Sequence, residues 1–342
     1  MAWNTGTPSD TGNVSRLGAI NGVVDGTGSS TTRDLFLKQF AGEVLTSFEE
    51  RNIAMPLHRT RTISNGKSAQ FPSVGTATAG YQKAGETILG DSVNHNEVTV
   101  TVDDLLVSSV FVPRIDEAMN HYDVRSIYSS EMGNALANAA DKNIFATIQQ
   151  ASETTTGGDL AGYWANGDFT SGAAGQVQVS ADATVTGQEI VDSIIKSLET
   201  FDAHDVTGEK YCVLNPATYY ALMGTDTTAM NRDFGGNGSV AGGSVPTVGG
   251  VKIYMSNHLP AGTTADTPTP LTAADGGSGR AAYDPTSAVK GLVFTKDAAA
   301  TVKLLDLGVE SEYQIERQGT LMVAKYAMGH NVLRGKAAIS LT

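Results

Sequence analysis

The stretch from Asp123 to Gln150 limits the folds open to this chain, because it contains no proline and a single glycine. Its apolar residues recur every three or four positions, which predicts a helix about 40 Å long with one apolar face. That face comprises Val124, Ile127, Tyr128, Met132, Ala135, Leu136, Ala139, Ala140, Ile144 and Ile148. The predicted opposite face is polar and comprises Arg125, Ser129, Glu131, Asn134 and Asp141. Such a helix supports a domain and does not cross a membrane. We expect Asp123 to cap it and residues 154–158 to end it.

Charge and composition disfavour several classes of function. The formal net charge is −13, and both nucleic acid and an anionic membrane need a basic surface for broad binding. The single cysteine, Cys212, cannot form a disulfide framework or a cysteine zinc site, and we expect it to be buried in a strand (YCVL). The six histidines are dispersed and form no metal-binding pair in sequence. The sequence therefore predicts no metal, cofactor or catalytic site, and no secretory signal or membrane span.

The beginning of the chain is predicted to be an arm. Residues 1–30 are rich in glycine and poor in large apolar groups, so we expect them to be ordered only through contact with other subunits. A short amphipathic helix then ends near Arg51, with an apolar stripe formed by Leu37, Phe40, Ala41, Val44, Leu45 and Phe48.

Residues 58–113 are predicted to form one long β-hairpin. Its outgoing strand is RTRTISNGKSAQFPSV and its return strand is NEVTVTVDDLLVSSVFVP. In the return strand Val98, Val100 and Val102 alternate with threonines, which is typical of a half-buried strand. A two-stranded ribbon of this length is only marginally stable alone. We therefore expect a neighbouring copy of the chain to cover these valines.

The two arms of this hairpin carry opposite charge. The basic side chains between residues 51 and 67 have no acidic neighbour in sequence, and the acidic side chains between residues 86 and 104 have no lysine or arginine among them. This pattern indicates either a solvated ribbon or complementary contacts between neighbouring copies. The candidate contact residues are Arg59, Arg61, Lys67, Glu86, Glu97, Val98, Val100, Val102, Asp103 and Asp104.

Residues 186–255 are typical of a compact α/β region. Thr186 and Glu189 form a capping-box pattern before an amphipathic helix, and Asn215 followed by Pro216 marks a second helix start after the YCVL strand. An enzyme built on this region would need convergent catalytic groups, and the sequence offers none. The glycine pattern at 236–241 lies in a loop without the helix that a dinucleotide site requires. From residue 300 (ATVKLLDL) the chain is predicted to return to strands.

Four stretches together resemble the major capsid proteins of the T7-like, short-tailed bacteriophages. They lie in the order of that family and at similar spacing: FLKQFAGEVLTSF (36–48), ISNGKSAQFP (63–72), DEAMNHYDVRSIYSS (116–130) and AKYAMGHNVLR (324–334). The resemblance implies an α+β fold of the HK97-like capsid type. Its implied parts are an N-terminal arm and arm helix (1–57), an extended loop with its return strand (58–113), a peripheral domain with a spine helix at 123–150 (114–185), an axial domain (186–295), a return to the peripheral domain (296–330) and a C-terminal strand in the axial domain (331–342).

The resemblance also implies a mechanical function. Copies of the chain would form hexamers and pentamers that close an icosahedral shell around double-stranded DNA, without sequence-specific binding. Scaffolding protein and portal would be partners during assembly in the host bacterial cytoplasm, and the product would be the virion. Two alternatives remain: a phage fibre or adhesive protein, and an α/β enzyme on residues 186–255. Particle size under native conditions distinguishes a shell or capsomer from an elongated trimer and from a small oligomer.

Overall fold

A computed structural model describes most of the chain, and it divides into two compact units. The residues it describes are 53–74, 79–83, 85, 87, 90, 93, 95–119, 125–153, 176–177, 179, 185–223, 247–260, 283 and 288–342. The first unit comprises Met1–Arg51, Leu105–Asn138 and Leu305–Tyr326. The second unit comprises Asn52–Asp104, Ala139–Leu304 and Ala327–Thr342. The predicted arm and its helix therefore lie outside the described residues.

The described residues form both strands and helices. The strands are β1 (Arg59–Thr62), β2 (Ser68–Val74), β3 (His95–Thr101), β4 (Leu106–Pro113), β5 (Gln176–Val177), β6 (Lys210–Leu214), β7 (Thr247–Val248), β8 (Val251–Met255), β9 (Gly291–Thr295), β10 (Ala299–Gln314), β11 (Gly319–Val332) and β12 (Ala338–Leu341). The α-helices are α1 (Arg114–Met119), α2 (Arg125–Glu153), α3 (Gly187–Ala203) and α4 (Pro216–Leu222). The mixture of helix and sheet agrees with the predicted α+β class.

The second unit contains a six-stranded mixed sheet in the order β5-β12-β9-β6-β8-β7. β6 pairs in parallel with β8 and antiparallel with β9, and β12 pairs antiparallel with β9. β9 and β12 are buried along their whole length, and β6 along all but its first residue. Strands buried on both faces read as continuous apolar runs, which is how KYCVL, GLVFT and AISL appear in the sequence.

Helices α3 and α4 begin where the sequence predicts. The Thr186 hydroxyl accepts a hydrogen bond from Glu189 N, and the Glu189 carboxylate accepts one from Thr186 N, so the capping box is complete. Asn215 Oδ1 accepts from Thr218 N, and Pro216 occupies the first turn of α4. The apolar face of α3 packs in one core with the six-stranded sheet, where Cys212 is fully buried. The predictions of both caps and of a buried Cys212 are confirmed.

Helix α2 begins at Arg125 within the described residues and ends at Glu153, three residues later than predicted. Met132 and Leu136 are buried, as predicted, but Ala135 is exposed. In the second unit α2 is buried on nearly every side, with Ile144, Phe145 and Ile148 in one apolar cluster. The predicted capping residue Asp123 and the predicted stop at 154–158 lie outside the described residues.

The placement of Asp141 on an exposed polar face is wrong, because its side chain is 0% exposed. Its two carboxylate oxygens accept hydrogen bonds from Ile53 N at 2.9 Å and Ala54 N at 3.2 Å. A buried carboxylate is tolerated when it is hydrogen-bonded in this way. Periodicity within a helix carries no information about donors that lie so far away in the sequence, so the sequence could not predict this burial.

The predicted single hairpin over residues 58–113 is divided among three pairings. Only β2 and β3 form a two-stranded antiparallel ribbon, with a register from Ser68↔Thr101 to Val74↔His95. β1 pairs in parallel with the start of β10, and β4 pairs antiparallel with β11. An alternating pattern identifies a strand without identifying its partner. For this reason the flanking strands were wrongly assigned to the ribbon.

The buried face of α2 gives the first test. Leu136 is 3% exposed, so replacing it with alanine removes buried methyl groups and leaves a cavity. We expect Leu136→Ala to lower the free energy of unfolding by about 2–5 kcal/mol, measured by denaturant unfolding of the unassembled subunit. Ser130→Ala on the exposed side of the same helix is the control, with an expected change within about 0.5 kcal/mol. Equal effects of the two substitutions would show that Leu136 lies outside the core.

Candidate assembly surfaces

The ribbon formed by β2 and β3 has one apolar face, and this face is buried within the second unit. In the register of the two strands, Ala69 lies opposite Val100 and Phe71 opposite Val98. Ala69, Val98, Val100 and Val102 pack in a single cluster against small apolar residues of β10, β11 and the segment that follows β11: Ala300, Val302, Ala327 and Leu333. The ribbon is therefore covered by its own chain along the part nearest its base.

This burial corrects the prediction that the three valines are contact residues. Val98, Val100 and Val102 are 7%, 0% and 5% exposed in the single chain, so they have almost no surface left to offer a neighbour. The alternating pattern correctly predicted that one face of the strand is buried. The covering partner was wrong, because β10 and β11 lie about 200 residues further along the chain and were not identified as that partner.

Backbone contacts fix the base of the ribbon closely. Val102 N donates to Lys67 O at 2.8 Å, and Asp103 N donates to Met328 O at 3.1 Å. At Gly329 of β11 a Cβ atom would lie 1.9 Å from Thr101 O, far inside van der Waals contact. Only glycine allows the two backbones to approach this closely.

The predicted basic contact residues remain at the surface, although two of them are already engaged within the chain. Arg59 Nε donates to Asp297 Oδ1 at 2.6 Å in a partly exposed ion pair. The Arg61 guanidinium donates to Gln70 O at 3.0 Å and lies 5.9 Å from the centre of the Phe71 ring. The Lys67 side chain is exposed. Of the three cations, the structure places Arg61 against the ribbon strand β2.

The predicted acidic contact residues are more dispersed. Glu97 is exposed and accepts a hydrogen bond from Gln70 Nε2 at 2.9 Å. Asp103 and Asp104 follow β3 and are half-buried, and Asp103 accepts a hydrogen bond from the Tyr283 hydroxyl. Glu86 lies outside the described residues. Among the residues that the structure describes, the opposite charges thus do not form one pair of facing stripes along a ribbon.

In the first unit, β10 carries an exposed apolar row that the sequence analysis missed. Leu305, Leu307 and Val309 share one face of the strand by alternation and are 49%, 48% and 47% exposed. β1 follows β10 only from Ala300 to Lys303, and no other described residue pairs with this outer edge of β10 beyond that point. The pattern LDLGVE contains the alternation, so the row could have been recognised from the sequence.

The turn end of the first unit exposes further apolar side chains. Arg114 N donates to Gln318 O at 3.0 Å, which brings the start of α1 beside the turn between β10 and β11. Ile115 and Ile315 are 63% and 74% exposed there. The Arg317 guanidinium lies 4.8 Å from the centre of the Phe111 ring, a cation–π contact. Large exposed apolar side chains in a cluster are typical of a surface that meets another protein.

The described residues offer little for catalysis. Among them no group of three or more His, Cys, Asp or Glu side chains is placed to hold a metal ion. Burial raises the pKa of the Cys212 thiol to about 12, so this sulfur stays protonated and is a poor nucleophile at neutral pH. Within the same residues no helix has the combined length and apolar character needed for a membrane crossing.

Comparison with known proteins identifies capsid proteins. The Gp10A-like family of major capsid proteins matches residues 70–342. The major capsid protein of Escherichia phage T7 is 32% identical over 326 residues, covering 89% of this chain and 90% of the relative. A chain in the capsid structure of cyanophage P-SCSP1u is 40% identical, with a TM-score of 0.74 and 98% of each chain covered. The mature capsid of bacteriophage PhiM1 supports the fold alone, at 20% identity, with a TM-score of 0.71 and coverage of 99% of this chain and 98% of that chain.

The mixed helix-and-sheet fold is shared with the shells of phages and defines a capsid protein of the HK97-like class. The chain belongs to the Gp10A-like family of major capsid proteins of tailed bacteriophages. The resemblance seen in the sequence is confirmed, and the protein is a subunit of a capsid built from repeated copies.

The close contact at Gly329 gives a second test, with a control that uses the same substitution. We expect Gly329→Ala to destabilise the subunit by more than about 2 kcal/mol, because the new methyl group meets a backbone oxygen that cannot move away cheaply. At Gly133 in α2, the place that a Cβ atom would take has no neighbouring atom within 4 Å. Gly133→Ala should therefore stabilise the subunit by about 0.5–1 kcal/mol. Unfolding midpoints that shift in the same direction for both would contradict the contact.

Proposed function

We propose that copies of this chain form hexamers and pentamers that close an icosahedral shell around packaged double-stranded DNA. The role is mechanical, with no catalytic step. Assembly takes place in the host bacterial cytoplasm with a scaffolding protein and a portal as partners. The net charge of −13 supports enclosure of the DNA without tight or sequence-specific binding, because an acidic wall repels the phosphate backbone.

The observation that carries this proposal is the outer edge of β10. An exposed strand edge invites pairing with another chain, and monomeric proteins usually protect such edges with lysine or proline. The stretch from Leu304 to Gln314 contains neither residue type, and its apolar row is about half exposed. An edge of this length and composition fits an extended segment of another copy of the chain, added by strand pairing.

The capsid parts expected from the resemblance are proposed as follows. The N-terminal arm and arm helix are 1–57, the extended loop lies within 58–113, the peripheral domain is 114–185 with 296–330, and the axial domain is 186–295 with 331–342. The six-stranded sheet supports placing 331–342 with the axial domain, because β12 pairs there with β9. The β2–β3 ribbon is the proposed extended loop.

We further propose that the three predicted basic contact residues bind carboxylates of a neighbouring copy. Arg59, Arg61 and Lys67 are the proposed donors, and the β10 edge supplies exposed acidic side chains at Asp306, Glu310 and Glu312. Glu86 and Glu97 remain proposed contacts, as do Asp103 and Asp104. The ion pair between Arg59 and Asp297 is partly exposed, and such pairs contribute only about 0–1 kcal/mol. Replacing Asp297 as the partner of Arg59 by a carboxylate of a neighbouring copy therefore costs little free energy.

Particle size tests the function itself. The purified full-length protein should form capsomers or closed shells, observed by sedimentation and electron microscopy under native conditions. A small soluble oligomer or an elongated trimer would contradict the proposal and favour one of the two alternatives.

The β10 edge gives a third test. Leu307→Lys places a charge on the exposed row, where it should change the free energy of unfolding by no more than about 0.5 kcal/mol. We expect it to block or strongly reduce shell formation, because a lysine on an edge strand opposes strand addition. Ser130→Lys, an equal charge change on the exposed side of α2, should assemble normally. Normal assembly of Leu307→Lys would exclude this edge as an interface.

The basic residues give a fourth test. The double substitution Arg59→Glu and Arg61→Glu should weaken assembly, with a defect that changes with salt because exposed charges are screened. Subunit folding should persist. The control is Lys196→Glu with Lys252→Glu, which changes the net charge by the same amount elsewhere in the second unit. If the Arg59/Arg61 variant assembles normally at low ionic strength, the charge pattern is only that of a solvated ribbon.

A further inference from the structure

Three histidines of the second unit are buried, and two of them share one threonine. His58 Nδ1 lies 2.8 Å from Ala54 O, and His58 Nε2 lies 2.5 Å from Thr301 Oγ1. Thr301 Oγ1 in turn lies 2.8 Å from His330 Nδ1. His58, Thr301 and His330 are 5%, 0% and 1% exposed. Side chains from the segment before β1, from β10 and from β11 therefore meet in one solvent-excluded line.

The direction of these hydrogen bonds follows from the chemistry of their ends. A carbonyl oxygen only accepts, so His58 Nδ1 carries the proton and donates to Ala54 O. Neutral His58 then accepts at Nε2, and the Thr301 hydroxyl donates to it. The Thr301 oxygen is left to accept from His330 Nδ1–H. His58 is neutral in this arrangement, and the hydrogen bonds from Ala54 to His330 each require the orientation of the next.

The line continues at both ends. Beyond His330, the backbone N–H of that residue donates to the Tyr283 hydroxyl at 3.0 Å, and Tyr283 donates to the Asp103 carboxylate. Tyr283 and the His330 ring are also in edge-to-face contact, with ring centres 5.4 Å apart. Asp103 directly follows the base of the ribbon, so the line reaches the chain that leaves β3.

At the other end the line reaches α2. Ala54 N donates to Asp141 Oδ1 at 3.2 Å, and His258 Nδ1 lies 3.4 Å from Asp141 Oδ2. We define the buried polar chain as Asp103, Tyr283, His330, Thr301, His58, Ala54, Asp141 and His258. It connects the base of the ribbon with β11, β10, the segment before β1, α2 and the segment after β8.

We propose that the buried polar chain is an acid-sensitive lock that holds the base of the ribbon in place. A proton taken from solvent can bind His58 only at Nε2, the atom that now accepts from Thr301. The Thr301 hydroxyl must then turn toward His330, whose Nδ1 already carries a proton. His330 must move that proton to its other nitrogen, or the contact between Thr301 and His330 breaks. A single protonation thus disturbs the hydrogen bonds from His58 to His330. A movement of His330 then changes its contacts with Tyr283, which binds Asp103 at the ribbon base.

Burial favours the neutral form of His58 in the folded chain. Burial lowers the pKa of His58 below its ordinary value of 6.5, and Lys303 on β10 lowers it further, while the Ala54 carbonyl and Asp141 on α2 raise it. The other titratable groups along the line are His258, His330, Tyr283 and Asp103. Because the pKa of His58 is lower in the folded state than in the unfolded state, the stability that depends on neutral His58 is fully present above pH 6.5. It is lost as the pH falls from 6.5 toward the pKa of the folded state.

Hydrogen exchange of the intact protein tests the lock directly. The reporters are the amides of Val102, Asp103 and His330, which are hydrogen-bonded at the ribbon base. From about pH 7.5 to about pH 5, after correction for intrinsic rates, their exchange should accelerate by up to about tenfold per pH unit below 6.5, since opening takes up one proton. Exchange without this acceleration would overturn the proposal.

Substitutions separate the lock from a merely structural cluster. His58→Asn keeps a donor near Ala54 O and cannot titrate, so its ribbon-base exchange should no longer depend on pH, whatever its absolute rate. His95→Asn replaces an exposed histidine on β3 and should keep the wild-type response. An unchanged pH dependence in His58→Asn would overturn the proposal.

A second variant covers the case in which His58→Asn fails to fold. Thr301→Val preserves shape and removes the hydroxyl that joins the two histidines. The acid response should persist at the amides of Ile53 and Ala54 and disappear at Asp103 and His330. If Asp103 and His330 retain it, the line through Thr301 does not transmit the change. The experiment uses unassembled subunits as well as particles, so its result is independent of the proposed shell.

Discussion

Small side chains on β10 are the constraint on which the second unit depends. Ala300 and Val302 pack with the ribbon valines in one cluster, and Ala327 and Leu333 close the same cluster from β11 and the segment that follows it. Thr301, between the two, faces the other way and meets His58 and His330. A strand presents alternate residues to opposite faces, so three consecutive positions of β10 hold an apolar core on one side and a polar line on the other. A larger residue at Ala300 would disturb both.

The contrast between the two parts of β10 explains why one strand serves two purposes. Its first four residues, from Ala299 to Val302, are fully buried, and from Leu305 onward most residues are exposed. Burial at the start orders the strand through contacts within the chain. The exposed remainder keeps the same extended geometry and alternation because it pairs with β11 on its other side. Because this second part of β10 is already ordered, another chain can bind it without an additional entropic cost of ordering the strand.

The sequence was sufficient for features that depend on neighbours a few residues away. The capping box at Thr186 and Glu189, the helix start at Asn215 and Pro216, and the spine helix all follow from local spacing. It was insufficient for the valines of β3, because their packing partners lie far away in the sequence. It was also insufficient for Asp141, because the donors that bind its carboxylate belong to a distant segment. The resemblance to capsid proteins rested on several motifs in order, and it succeeded because it did not require any pairing to be known.

The burial of Cys212 also has a practical consequence for following this protein over time. It is the only cysteine in the chain, it is fully buried in the centre of the six-stranded sheet, and its thiol pKa is raised to about 12. A thiol reagent reaches this sulfur only when the core between α3 and the six-stranded sheet opens, because the thiolate that reacts does not form in the closed core. The rate of labelling therefore reports how often this core opens, in a free subunit or in a particle, without any introduced probe.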